Sequence, residues 1–207
     1  MRDARPSQTA IMAAASRAAH LVVDGEPYIF RDTLAATLLG GQAEELVGYH
    51  RAYGGHIVLS GTRAQVTARA AYTERRLGNR FEQYVVLGAG LDTFALRRAP
   101  GGPPTRVIEV DHPATQQWKR ELMAAPGLRD ERGAEYASFA LAAAADRGEP
   151  WLSFFAPDEV SSLLKQHGLE VVEHVRQAGC VDPELWRRQD GLRPADLCRL
   201  VRAVVTG

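Results

Sequence analysis

The sequence predicts an α/β fold in which a helical N-terminal region precedes a strand–loop–helix–strand–helix unit. Three observations predict it. Residues 11–77 carry apolar side chains mainly at helical spacing, and no convincing strand occurs before residue 83. A short uncharged run, Gln83–Leu87, then leads directly into a Gly-x-Gly turn. A second β-prone run, Arg106–Asp111, ends on acidic residues about twenty positions after that turn.

Composition restricts the class of protein and its partners. The chain has 207 residues, which is enough for one domain with a buried core. Lys plus Arg and Asp plus Glu are equal at 25 each, which argues against nucleic-acid or membrane partners that bind by bulk charge. No apolar run reaches the ~18 residues that a membrane helix needs, and no signal-peptide core is present. We therefore expect a cytoplasmic protein in which Cys180 and Cys198 are free thiols.

The N-terminal region is expected to form several helices separated by glycine pairs. Apolar spacing predicts helices over Met12–Val22, Arg31–Leu39 and Thr62–Leu77. We predict that residues 1–80 form a helical cap and that residues 81–207 form the core.

The first strand and the turn after it are the most informative part of the chain. Gln83–Leu87 has no charge, as expected for a strand that is buried on both faces. Gly88 and Gly90 lack side chains and can adopt positive φ, so the backbone can approach a ligand closely. A helix is predicted over Thr93–Arg98, and its N-terminus would offer free N–H groups. Asp92 fits either an N-cap of that helix or a ligand contact.

The second predicted strand ends on acidic residues that are expected to lie close to this turn. Arg106–Asp111 is predicted to be buried, and Ala114–Ala124 is the helix that follows it, with Pro113 at or just before its first turn. Glu109 and Asp111 favour a ligand, because buried strands seldom end on two acids without a partner. In nucleotide-binding units, an acid at this position accepts hydrogen bonds from ribose hydroxyls.

Two alternatives stay open on the residues alone. The turn could join strand and helix without any ligand. A nicotinamide site is less favoured, because position 93 is Thr where the Gly-x-Gly-x-x-Gly motif has its third glycine.

The C-terminal part is predicted to contain further helices and strands. Ala134–Arg147 is Ala-rich and helical in character. Pro157, followed by two acids, begins another helix. Leu169–Val175 alternates like a strand, and Leu197–Val205 is the expected closing strand.

The residues around the turn and the second strand resemble a known family. Gln83–Thr93, followed by Glu109–Gln116 and Lys119, is similar to motifs of the leucine carboxyl methyltransferase family, and especially of its bacterial S-adenosylmethionine-dependent O-methyltransferases. The resemblance extends upstream to Gly61–Leu77. It implies a class I Rossmann-like methyltransferase fold with an N-terminal helical cap. The cofactor would be S-adenosyl-L-methionine, the acceptor a small molecule, and no metal is expected.

The resemblance also implies which residues hold the cofactor. Arg69 matches an arginine that pairs with the cofactor carboxylate, and a guanidinium suits that anion. Asp111 would bind the ribose hydroxyls, with Glu109 as the second choice. Three residues of the turn would line the methionine portion: Gly88, Ala89 and Gly90.

No catalytic residue is assigned. Methyl transfer from a sulfonium is an in-line displacement that depends mainly on placing the acceptor. A carboxylate acceptor needs no base, whereas a hydroxyl acceptor needs one. Four histidines are candidates for that base on residue type only: His20, His50, His56 and His112.

The sequence departs from the family pattern after Leu128. The family's third to fifth strands are not found before the similarity resumes over residues 136–155. Three strand–helix units of about 25–30 residues each are therefore missing, and the expected sheet is truncated. Three explanations are open. The first is that the sequence consists of separate parts of a longer chain that have been joined and renumbered. The others are that the four remaining strands close into a smaller sheet, or that a partner chain supplies the missing edge. We favour the first, and a homo-oligomer stays open.

Three functions follow from this pattern. The first is an S-adenosylmethionine-dependent O-methyltransferase that acts on a carboxyl or hydroxyl group of a small molecule, such as a specialised metabolite. The second is a degenerate methyltransferase fold that binds or scaffolds without catalysis, which the missing strands favour if the sequence is complete. The third is a methyltransferase fold recruited to another reaction, such as a cyclisation.

Overall fold

The computed structural model describes residues 7–78, 80–98, 105–124, 155–194 and 198–206. Its helices, numbered in chain order, are α1 (Gln8–Val23), α2 (Ala35–Leu39), α3 (Ala43–Tyr53), α4 (Ile57–Leu77), α5 (Phe94–Arg97), α6 (Pro113–Ala124) and α7 (Pro157–Gln166). Its strands are β1 (Gln83–Leu87), β2 (Arg106–Val110), β3 (Leu169–Arg176) and β4 (Arg199–Val205). Short 3-10 turns lie at Gly40–Gln42, Gln177–Gly179 and Pro183–Trp186.

The N-terminal region is helical, as predicted. α1 begins after Ser7, whose hydroxyl accepts a hydrogen bond from the Ala10 N–H. The helix expected over 31–39 is shortened to α2. The reason is local: the Asp32 carboxylate accepts the Leu34 N–H at 3.2 Å and pairs with Arg17, which holds this stretch in a turn before α2.

The predicted strand–loop–helix–strand–helix unit is present. β1 and β2 pair in parallel, with Gln83 opposite Arg106 and Leu87 opposite Val110. The connection between them contains α5, which is a single helical turn, and α6 follows β2 directly. The carboxyl ends of both strands therefore lie at one edge of the sheet, beside the turn at 88–93.

The expectation that both strands are deeply buried is wrong. Val85 is 48 % exposed, Leu87 is 76 % exposed and Val110 is 47 % exposed. Tyr84 and Val86, which alternate with Val85 and Leu87, are half-buried. β1 and β2 pair only with each other among the described strands, and the packing they receive comes mainly from one side. Burial on both faces would need elements that lie outside this pair.

The C-terminal part contains the predicted α7 and an antiparallel pair of strands. β3 and β4 align with Leu169 opposite Val205 and Arg176 opposite Arg199. They form a sheet separate from β1 and β2, so the described strands do not close into a single four-stranded sheet. The helix predicted over 134–147 lies outside the described residues.

Two buried clusters hold the molecule together. The first joins α1, α2 and α3 to Leu91 of the turn, with Trp118 and Leu122 of α6 packed against it. The second joins α4 to Val181 and Leu192 in the C-terminal part. Each cluster contains residues from both sides of position 80, and the division into a cap (1–80) and a core (81–207) stays a prediction.

A membrane-spanning segment is not found among the helices of the described ranges, each of which is too short or too polar. In the same ranges, no three His, Cys, Asp or Glu side chains are grouped so that they could hold a metal ion.

Candidate functional site

The candidate site is centred on the turn between β1 and α5. Gly88 and Gly90 have φ values of 66° and 50°, in the left-handed region that favours glycine. A Cβ added at Gly88 would meet no atom within 4 Å, whereas one at Gly90 would lie 2.8 Å from the Cβ of Ala10. The turn is therefore open to a ligand at Gly88 and closed by α1 at Gly90, next to the buried Ala89.

The turn is held against the end of β2 by its own backbone. The N–H groups of Gly88 and Ala89 donate to the Val110 carbonyl, at 2.8 and 3.3 Å. The Gly90 N–H donates to Oδ2 of Asp111 at 2.5 Å. These bonds fix the turn before any ligand binds, and they use the first three N–H groups that the turn could have offered.

The helix after the turn differs from the expected one. α5 contains four residues, and the N–H of its first residue, Phe94, donates to Oδ1 of Asp92 at 2.8 Å. The expectation of free N–H groups at this helix N-terminus is therefore wrong for Phe94. The N-cap of α5 is Thr93, so Asp92 is not the N-cap that was one of its two expected roles; its carboxylate binds the Phe94 N–H from one position earlier.

Asp111 lies directly after β2, where the sequence placed it. Its half-buried carboxylate accepts the Gly90 N–H through Oδ2 and the His112 N–H through Oδ1, the latter at 2.6 Å. A carboxylate has about four acceptor sites, so each oxygen can accept a further hydrogen bond. Asp111 thus fixes the turn and still has capacity to bind a hydroxyl group.

Glu109 has a structural partner that the sequence did not reveal. The Lys119 Nζ lies 2.8 and 2.7 Å from the two carboxylate oxygens of Glu109 and 2.6 Å from the carbonyl oxygen of Asp92. Lys119 is 2 % exposed, so its charge depends on these acceptors. The lysine ties α6 to both β2 and the turn, a role that its place in the sequence motif alone does not indicate.

Arg69 of α4 carries the cation that the sequence predicted for this site. Among the residues that the structure describes, none forms a hydrogen bond or an ion pair with its guanidinium. The side chain is exposed, yet it lies in a depression where burial, and then the charge of Arg17, lower its pKa. The Asp92 carboxylate, in the turn, acts in the opposite direction on that pKa. Arg69 therefore lies within electrostatic reach of the turn.

A cavity of about 170 Å³ opens beside Arg69. It lies between α4 and the start of β4, and its lining consists of Gln65, Arg69, Gln177, Cys180, Cys198, Arg199 and Leu200. Small-molecule sites commonly measure about 300–1,000 Å³, so this cavity could hold only part of a nucleotide-sized ligand. Arg69 therefore lines a small cavity whose lining includes no residue of the turn, while its pKa responds to the charge of Asp92 in the turn.

A sequence model of the family described as leucine carboxyl methyltransferase matches residues 10–149, which include all but the first two residues of α1, the elements from α2 to α6 and the whole turn. The chain belongs to the leucine carboxyl methyltransferase family. This confirms the resemblance inferred from the motifs at residues 83–93 and 109–119. Residues 125–149 of the match lie outside the described part of the structure.

A curated protein to which the chain is similar is "Putative S-adenosyl-L-methionine-dependent methyltransferase YktD" of Bacillus subtilis (strain 168). It is 50 % identical over 60 residues, which cover 27 % of this chain and 20 % of YktD. The chain therefore aligns with about a fifth of the length of that relative.

The family's turn is contacted here by a buried ion pair that sequence reasoning missed. Arg17 of α1 donates through Nε to Oδ2 of Asp32 at 2.8 Å and through Nη2 to the Leu91 carbonyl at 2.7 Å. Both charged residues are buried. The available signal was an arginine within the Ala-rich apolar face of α1, which is an unusual place for an unpaired charge.

A second buried network lies at the C-terminal end of α1. Arg63 donates to both carboxylate oxygens of Asp24 at 2.9 Å, and Asp24 also bonds to Nδ1 of His20 at 2.8 Å. Nδ1 of His50 lies 3.3 Å from Nη1 of Arg63. Both histidines are buried and bonded within the protein. These contacts give His20 and His50 structural roles, which makes them poor candidates for a base that meets an acceptor.

Proposed function

We propose that this chain binds S-adenosyl-L-methionine across the turn at Gly88 and acts as an O-methyltransferase on a small molecule. The observation that carries the proposal is Arg69, a guanidinium with no anionic partner in the described part of the chain, within electrostatic reach of the glycine turn. A cation held in this way favours an anionic ligand group. Family membership supports the choice of cofactor.

The residues present fit the groups of the cofactor. Arg69 would pair with the methionine carboxylate, and the open side of Gly88, next to Ala89 and Gly90, would receive the methionine chain. Asp111 retains acceptor capacity for the ribose hydroxyls. Glu109 fits less well, because both of its oxygens already accept hydrogen bonds from a buried lysine.

The bound cofactor would supply an activated methyl group, and the protein's task would be to orient it. A carboxyl acceptor suits the described residues better than a hydroxyl acceptor, because it needs no base. Besides the two buried histidines, His56 and His112 accept N–H groups at the starts of α4 and α6 through Nδ1. A carboxyl group on a small molecule is therefore the acceptor that we favour.

The structure also supports a proposal about the fold. We infer that β1, α5, β2 and α6 are the first units of a class I Rossmann-like sheet whose third to fifth strands are not among the described residues. The exposed outer face of β1 and β2 supports this inference, because such sheets are covered by helices on both faces.

The same open sheet favours a second candidate, a binding module of the family without catalysis. Within the described residues, β1 and β2 pair only with each other, so no third strand brings an acid towards an adenine. A third candidate, another reaction on the same fold, has no observation of its own. Incubation with methyl-labelled cofactor and small carboxylic acids separates these functions, because the module would bind the cofactor and form no labelled or rearranged product.

The test of the cofactor is calorimetric titration with S-adenosyl-L-methionine and with S-adenosylhomocysteine. Arg69→Ala should weaken binding by about 10- to 100-fold, as expected for a lost charged hydrogen bond. Arg76→Ala is the matched control, because Arg76 lies on the same helix and pairs with Glu173 instead. Absence of binding by the unaltered protein at millimolar ligand, or equal effects of both variants, would show that the assignment is wrong.

A further inference from the structure

We propose that Arg17 and Asp32, both in the helical N-terminal region, are positioning residues for the turn at 88–93. Their buried ion pair holds the C-terminal end of that turn and connects it to α4, the helix that carries Arg69. The inference rests on the function proposed above, in which this turn and Arg69 bind the cofactor.

Arg17 holds the turn by a hydrogen bond from its side chain to the backbone of the turn. Its Nη2 donates to the Leu91 carbonyl at 2.7 Å, one residue after Gly90. Leu91 itself is buried in the cluster formed by α1, α2 and α3. α1 also closes over Gly90, where a Cβ would lie 2.8 Å from Ala10. The helical region therefore contacts the turn by a charged hydrogen bond and by direct packing.

Asp32 holds the turn by a hydrogen bond to a side chain of the turn, that of Thr93. It is 1 % exposed, and its Oδ2 accepts the Thr93 hydroxyl at 2.7 Å in addition to Nε of Arg17. Its Oδ1 accepts the Leu34 N–H and lies 3.6 Å from Nε of Arg97. All of these partners are protein groups, so this buried carboxylate is well coordinated without a ligand.

The network continues from the turn to α4. Nε of Arg97 donates to the Thr93 hydroxyl oxygen at 2.8 Å, and its two terminal nitrogens donate to the carboxylate of Glu74, one of them at 3.2 Å. Glu74 lies on the same helix as Arg69. Side chains of alternating charge thus join α1, the turn and α4. The turn and the helix that carries Arg69, which together form the proposed cofactor site, are therefore connected by one series of contacts.

The molecule supplies its own comparison for this role. The ion pair of Asp24 and Arg63 is as deeply buried and also joins α1 to α4, but none of its contacts within the described residues reaches the turn. Buried ion pairs contribute little net stability, yet removing one partner leaves an uncompensated charge. Asp32→Asn and Asp24→Asn should therefore both lower stability, whereas only Asp32→Asn should disturb the turn.

The test combines two measurements on the full chain, at a temperature where every variant is folded. The first is the Kd of S-adenosylhomocysteine by calorimetry. Asp32→Asn should raise it about tenfold, because a charge-assisted hydrogen bond to the turn is weakened, while Asp24→Asn should leave it within about twofold. Arg17→Lys, which keeps the charge but loses the second hydrogen bond, should have an intermediate effect.

The second measurement is amide hydrogen exchange over residues 88–93 without any ligand. It should accelerate about tenfold in Asp32→Asn and stay unchanged in Asp24→Asn. If Asp32→Asn does not fold, Thr93→Val removes the hydroxyl bonded to Asp32. Its matched control is Thr67→Val, a buried threonine bonded only within α4.

The outcomes separate the two proposals. Equal changes of exchange in the Asp32 and Asp24 variants, or unchanged exchange in Asp32→Asn and Thr93→Val, overturn the positioning role. Failure of the unaltered protein to bind S-adenosylhomocysteine overturns the cofactor assignment, while the exchange measurement still decides whether Asp32 holds the turn.

Discussion

The stability of this protein should depend on pH through His50. Burial, and then the charge of Arg63, lower the pKa of His50 from 6.5 to about 4, and the Asp24 carboxylate opposes them only in part. His50 is 2 % exposed, and its Nδ1 lies 3.3 Å from Nη1 of Arg63. The neutral ring can accept a hydrogen bond from the guanidinium, whereas a protonated ring would face it as a second cation.

The direction and the size of the effect follow from the two pKa values of His50. The unfolded chain takes up this proton near pH 6.5, and the folded protein takes it up only near pH 4. Between these values the unfolded state binds more protons, so acid favours unfolding. The full stability is present above pH 6.5 and is lost progressively as the pH falls, and this loss amounts to about 3 kcal/mol at the acid end of the window.

The assay is urea unfolding of the wild type and of His50→Asn at several pH values between 7.5 and 4.5. Asparagine keeps an acceptor near the position of Nδ1 and does not titrate, so the variant should lose much less unfolding free energy over this window. Asp24 also has a lowered pKa, although burial alone would raise it, because hydrogen bonds from His20 and Arg63 outweigh burial. Its contribution is lost below its ordinary value of 3.8, outside the window.

The control is His167→Asn at an exposed position after α7, which should leave the pH dependence as in the wild type. The reasoning is refuted if the unfolding free energy of the wild type is constant between pH 7 and 4.5. It is refuted equally if His50→Asn retains the full wild-type slope.

Three further substitutions probe the turn and the sheet. Lys119→Met should lower the unfolding free energy by about 2–3 kcal/mol in urea denaturation, because it leaves Glu109 partly buried without its cation. Adding Glu109→Gln should restore part of that loss. Gly90→Ala should cost about 2 kcal/mol in the same assay, since its φ is 50° and the new Cβ would meet Ala10, and a neutral result would contradict the described turn. Leu87→Lys tests the fold proposal, in which further elements cover this face: a face as open as the described residues leave it would change the unfolding free energy by less than about 0.5 kcal/mol. A larger loss would mean that this face of the sheet is covered.

The order of elements around the site could be predicted from the sequence because its signals are local. An uncharged run, two glycines and two terminal acids each indicate structure within a few residues, and β1, the turn and β2 follow at the predicted positions. The contact between Asp111 and the Gly90 N–H could not be predicted, because it depends on the register in which β2 pairs with β1.

The exposure of β1 had no local signal either. An uncharged run such as Gln83–Leu87 indicates that a strand can be buried on both faces, but whether it is buried depends on elements elsewhere. The pair of Arg17 and Asp32 joins positions fifteen residues apart to a turn much later in the chain. Only a complete fold determines which buried charges meet, and the shortened α2 results from the same pairing.

The hydrogen bond from Gly90 to Asp111 affects how mutagenesis of this site should be interpreted. Substituting Asp111 would release the backbone of the turn as well as remove an acceptor for a sugar hydroxyl. Weaker binding in such a variant would therefore combine a change of loop shape with a lost contact. Changing the nucleoside instead of the protein avoids this ambiguity: a deoxyribose analogue of the cofactor, titrated against the unaltered chain, measures the sugar contact by itself.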